Sequence, residues 1–122
     1  MKYMLLAYDY EKAWEKAGEP ALQAAMQQAV QLCHEVNDRG QLLDVSPLAW
    51  SSSAVCVRVR DGKAIVTDGP YTETREVLGG YYIIDVDNLD EALAIAARHP
   101  GVPVGAVEIR PLVELPNMPV TA

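Results

Sequence analysis

Positive charge is what this chain has least of. Lys and Arg together number 10 against 17 Asp and Glu in 122 residues, a formal net charge of −7. A protein that grips a phosphate backbone needs clustered Lys and Arg. The nearest approach to a cluster, Arg58, Arg60 and Lys63, surrounds a single tight turn. No nucleic-acid partner is therefore expected. Cysteine is limited to Cys33 and Cys56, which stand alone, outside any CxxC pattern. They read as buried free thiols rather than a disulfide or a nucleophile. Long apolar runs are missing too. The stretch Met1–Tyr8 is broken by Asp9, too short for a secretory signal, and no later stretch approaches the ~20 apolar residues of a membrane helix. A cytoplasmic protein without membrane contact is the expectation. Histidine is limited to His34 and His99. With no recognisable ligand spacing among the acids and imidazoles, neither a metal nor a cofactor is expected.

What is present is an ordinary globular composition, 50% hydrophobic and 22% charged, in a length that suits one domain with a real core. Tyr3–Tyr8 is apolar on both alternating faces, as in a strand central to its sheet, and Asp9 follows as that strand runs out. Tyr10–Glu19 is mixed, and Trp14 suits a short helical turn or a lid. Gly18 and Pro20 mark a helix start. From Ala21 to Arg39 the residues Leu22, Met26, Ala29, Cys33 and Val36 recur at helical spacing as one apolar stripe. Gly40 is the expected C-terminal cap. Leu42–Leu48 reads as a short strand stopped by Pro47.

Ala54–Arg60 and Lys63–Asp68 then flank Asp61-Gly62, the signature of a two-residue hairpin turn. This register pairs Arg60 with Lys63 and Val55 with Asp68, which puts Asp68 on the face of Val55 and Val57. Tyr81–Val86 is another two-sided apolar strand. Asn88 and Glu91 suggest a capped helix start, and the helix ends near Arg98, before His99-Pro100-Gly101. Val104–Leu112 is the last strand, and the tail from Val113, with Pro116 and Pro119, is no independent element. The order β-α-β, hairpin, β-α-β predicts an α+β fold, ferredoxin-like with an added β-hairpin. The sheet face away from the helices would be too apolar to leave wet, which predicts a homodimer.

The densest polar stretch lies between the hairpin and the next strand. Asp68 to Gly80 packs Asp68, Glu73, Glu76, Arg75 and Tyr71 into thirteen residues. Loops carrying polar groups between rigid strands commonly hold function, while an ordered turn would use the same Asp and Gly for backbone geometry alone. A carboxylate at the end of an apolar face needs partners, which makes Asp68 a site candidate.

Several stretches together resemble the DGPF family, a branch of the YCII-related proteins. They are Met1–Leu6, Val57–Gly62, Asp68-Gly69-Pro70-Tyr71, Glu73–Glu76, Leu78–Tyr82, Asp87–Ala92, Ala97–Pro100 and Glu108–Pro111. Tyr71 stands where the family name has Phe. The resemblance covers nearly the whole chain, residues 1–122 forming one such domain. It implies a dimeric α+β barrel with a pocket in each half, and no known activity. Some members are encoded beside alternative sigma factors, which implies a sensory or regulatory setting. The wider group's presumed pair is an Asp after the first strand and a His in the first helix. Asp9 matches the Asp, and Ala29 occupies the position of the His.

Three readings follow. The chain is a small-molecule binding module, a cofactor-free isomerase or lyase using carboxylates, or a dimeric protein-interaction module. For the first two, Asp9 and Asp68 are the catalytic candidates, since a desolvated carboxyl among like charges can shuttle a proton near neutrality. Tyr71, Glu73, Arg75, Glu76 and Arg58 are the ligand-binding candidates, with Tyr71 a donor to an oxyanion and Arg75 or Arg58 an anchor for an acid. Solvated surface charges are the bland alternative for Glu73, Arg75 and Glu76. His99, before Pro at a helix end, reads first as a cap on the helix carbonyls.

Overall fold

The computed structural model describes residues 1–72 and 74–119. Four strands form one antiparallel sheet: β1 (Lys2–Asp9), β2 (Leu42–Pro47), β5 (Val77–Asp85) and β6 (Ala106–Pro111). Their order is β2-β5-β1-β6. β1 and β5 are thus the inner strands, as their two-sided apolar sequences require. Their register pairs Tyr3 with Ile84, Leu5 with Tyr82 and Ala7 with Gly80. Those residues share the buried face of the sheet.

Helices α2 (Glu19–Asp38) and α3 (Leu89–Ala97) supply the other half of the core. Leu32 and Val36 of α2, with Ala92, Ile95 and Ala96 of α3, pack on Tyr3, Leu5, Tyr82 and Ile84. Asn88 caps α3, its side chain accepting from the Glu91 N–H at 2.9 Å. Glu91 reaches back to the Asp87 N–H, also at 2.9 Å, so one orphan donor of the helix start and the N–H just ahead of the cap are satisfied together. Arg98 pairs with Glu35 and ties the end of α3 to α2. Met4, Leu6, Tyr8 and Ile83, on the alternate positions of the inner strands, remain half-buried.

The expected stripe on α2 is correct only in part. Leu32 and Val36 are buried, with Cys33 packed against them, but Met26 is exposed, as is Val30. A 20-residue helix spans about 30 Å, longer than one side of the sheet can cover. Its C-terminal half lies on the core, and its N-terminal half overhangs as a roof. The mixed segment before it is helical, α1 (Glu11–Ala17).

The hairpin, β3 (Val55–Arg60) and β4 (Lys63–Asp68), has the register that the turn predicts, from Arg60–Lys63 to Val55–Asp68. Asp61 and Gly62 both take positive φ, 51° and 74°, as a primed turn needs. It forms a two-stranded sheet of its own, and both its faces are exposed. The added hairpin of the expected fold therefore does not extend the four-stranded sheet. Both cysteines are free. Among the described residues no helix is long and apolar enough to cross a membrane.

Candidate functional site

The overhang of α2 roofs a cavity of about 620 Å³. Leu22, Met26 and Ala29 of α2 face Val45 and Pro47 of β2 across it, and Trp14 and Trp50 contribute aromatic walls. Its lining is mainly apolar, and the carboxylates and imidazoles in it are Asp9, Glu11, His34 and His99. Glu11 is already engaged, accepting from the Ser51 N–H at 2.8 Å and from the Ser51 hydroxyl. This clasp holds α1 against the turn at residues 51–53.

Asp9 ends β1, where the pairing with β5 slips by one residue. Ala7 faces Gly80 and Tyr8 faces Leu78, so Gly79 is the unpaired extra residue. Bulges of this kind re-aim neighbouring side chains. Here the space beside the bulge holds the Asp9 carboxylate, since a Cβ on Gly79 would lie 1.9 Å from Oδ2. Burial pushes the Asp9 pKa up from its ordinary 3.8 and the nearby Glu11 charge adds to this, while the Trp14 side chain acts the other way.

His99 comes to the same place from the far end of α3. A Cβ on Gly101 would be 2.9 Å from both Asp9 Oδ1 and His99 Nε2. Carboxylate and imidazole thus face one small space. The other ring nitrogen, Nδ1, lies 2.7 Å from the Tyr82 hydroxyl, and the two rings meet edge to face at 5.5 Å. Burial pushes the Tyr82 pKa well up and lowers that of His99. Both shifts favour a neutral ring and a protonated phenol. Among the described residues the Tyr82 hydroxyl has no hydrogen-bond partner other than Nδ1, so it donates there and the ring proton sits on Nε2, toward Asp9. The capping role read from the sequence is therefore replaced by an inward one. The signal for it was weak: Tyr82 reads as core, and His-Pro at a helix end reads as a stop.

The remaining predicted site residues lie elsewhere. Asp68, Tyr71, Arg58 and Glu76 are exposed and line none of the cavity. The Arg58 guanidinium lies over the Tyr71 ring at 4.7 Å. Arg75 lies over the Tyr10 ring at 4.4 Å and lines a second, smaller hollow with Pro70 and Lys12. Glu73 lies outside the described residues. Of the two catalytic candidates, Asp9 is in the cavity and Asp68 is not. Among the described residues, no group of three or more His, Cys, Asp or Glu is placed to hold a metal.

The YCII-related domain matches residues 1–116. The chain belongs to the YCII-related family. An uncharacterized protein of Rhizobium meliloti (strain 1021) is similar to it, 40% identical over 77 residues. That match covers 62% of this chain and spans 62% of the length of the relative. Asp9, expected from the resemblance as one of a pair, ends β1 in the cavity wall. Ala29, which faces the cavity from α2, stands where the presumed histidine would be, and the imidazole that meets Asp9 belongs to His99.

Proposed function

We propose that this YCII-related chain is a homodimer that binds a small, mainly apolar organic molecule beneath α2. The observation carrying this reading is the meeting of Asp9 and His99 in the wall of a cavity of about 620 Å³. Small-molecule sites typically measure ~300–1,000 Å³, mostly apolar with a few convergent polar groups. The ferredoxin-like assignment is supported by the sheet order β2-β5-β1-β6 and by both helices covering one face. Dimerisation is supported by two apolar surfaces, the Met4, Leu6 and Ile83 face of the sheet and the exposed valines of the hairpin. Asp68, Tyr71, Arg58, Arg75 and Glu76 belong to the proposal as polar groups beside that second surface. Free Cys33 and Cys56 suit a reducing compartment such as the cytoplasm. A sensory or regulatory role suits a binding site of this kind.

Thermal shift with small organic acids, lactones and phenolics tests the reading, on wild type, Ala29→Trp and Asp68→Asn. Ligands should raise the wild-type melting temperature and do so far less on Ala29→Trp, whose indole intrudes into the cavity from its roof. Hits kept by Ala29→Trp and lost by Asp68→Asn would move the site to the hairpin loop.

The Asp9–His99 pair also favours a second reading, cofactor-free proton transfer. Asp9 would take a proton from the carbon next to a ligand carbonyl, and His99 Nε2–H would steady the enolate oxygen. Return of that proton to another carbon completes an isomerisation. Solvent deuterium appearing in a bound ketone, and lost with Asp9→Asn, is the expected signature. A ligand that binds without exchange would leave the binding module alone.

A further inference from the structure

The cavity also carries information about the charge of its occupant. No Lys or Arg appears among the residues lining it, whereas two carboxylates, Asp9 and Glu11, do. The arginines expected as acid anchors are engaged outside it, Arg58 over Tyr71 and Arg75 over Tyr10. Arg98 is paired with Glu35. A ligand carboxylate or phosphate entering here would lose its water beside two carboxyl groups and meet no Lys or Arg among the described lining residues, with only the imidazoles of His34 and His99 to answer it.

The polar groups specify more than the absence of a cation. His99 turns Nε2 to the space it shares with Asp9 Oδ1, each 2.9 Å from a point beside Gly101. Because Tyr82 occupies Nδ1, the Nε2 position is a donor. An ammonium ligand would suit Asp9 but would meet that N–H head on. A hydroxyl can accept from His99 and donate to Asp9 at once, and an enolisable carbonyl can accept from His99 while its α C–H faces Asp9. Trp14, Trp50 and Met26 then offer flat and adaptable apolar walls to the rest of the molecule.

We infer that the cavity selects uncharged ring compounds bearing one hydroxyl or carbonyl group, and rejects the organic anions that the sequence suggested. This rests on the binding reading above and adds a ligand class to it. The test is isothermal titration at pH 7 with four probes on one scaffold: naphthol, acetylnaphthalene, naphthoate and naphthylmethylammonium. The two neutral probes should bind wild type at least ~10-fold more tightly than either ion, a margin of ~1.4 kcal/mol, and should lose binding to Ala29→Trp. Met26→Lys places a cation at a partly exposed position of the roof and should recover naphthoate binding.

Naphthoate binding the wild type as well as naphthol, with both lost in Ala29→Trp, would overturn the charge class and leave the binding site standing. Preference for the ammonium probe would overturn it in the other direction. Failure of all four probes on a folded wild type would count against the cavity as a ligand site, and the inference would fall with it.

Discussion

The sheet and the hairpin are both rich in valine, isoleucine and alternating patterns, yet they are held by different physics. In the sheet, Leu5 is 1% exposed and Ile84 0%, so burial fixes which face each strand presents. In the hairpin, Val57 is 66% exposed and Val59 71%, so burial within the chain fixes nothing. Its register comes from the turn, where Asp61 and Gly62 take the two positive φ angles that match the twist of the strands. An isolated two-stranded hairpin is marginal in water. One region is specified by what it buries and the other by how it turns.

The contrast can be broken most directly by paired truncations. Leu5→Ala should cost about 2–5 kcal/mol in urea unfolding, while Val59→Ala at low protein concentration should stay within about 0.5 kcal/mol. Comparable losses would mean that the hairpin is buried against a second copy even when dilute. Gly79→Ala should cost about 1–3 kcal/mol as the added methyl displaces the Asp9 carboxylate, and ligand-induced thermal shifts should vanish with it. A variant that loses stability but keeps binding would detach Asp9 from the site.

Local specification gives smaller effects. Asn88→Ala should cost about 1 kcal/mol through the lost cap, read by the urea midpoint. Gly62→Ala places a side chain at φ 74°. It should speed hydrogen exchange in β3 and β4 roughly fivefold, corresponding to about 1 kcal/mol, with β1 and β5 amides unaffected. Spread of the effect into β1 would show that the hairpin and sheet unfold as one.

The smallest change expected is a gain. The Asp9 pKa is raised in the fold, so its contribution to stability is full below 3.8 and declines as pH rises through the folded value. Asp9→Asn lacks that decline. Its melting temperature should exceed wild type at pH 7, and the two curves should converge below pH 3.8. Equal curves at neutral pH would remove burial as the cause.

How much was legible follows from the same contrast. Two-sided apolar strands, the Asp61-Gly62 turn and the Asn88 cap are local signals, and each appears, although β5 begins at Val77 rather than at the expected Tyr81 and takes in Gly79 and Gly80. The stripe on α2 was legible as a period but not as a coverage, because Met26 has the spacing of a core residue while lying beyond the sheet that would bury it. The site was legible at Asp9, at the end of a central strand. His99 was not, because its partner Tyr82 is 17 residues away and both have ordinary readings alone. The loop from Asp68 to Glu76 drew attention because density of polar groups is visible along a chain. Convergence in space is not.

Gly79 and Gly101 give the pocket a vulnerability of an unusual kind. The acid and the imidazole occupy room that exists because two methyl groups do not. A lineage released from whatever this pocket serves need not touch Asp9, His99 or Tyr82 to abandon it, since one ordinary codon change at either glycine would crowd the carboxylate. In such descendants the apparent machinery would persist as a relic. The decisive positions for recognising a working member would then be Gly79 and Gly101.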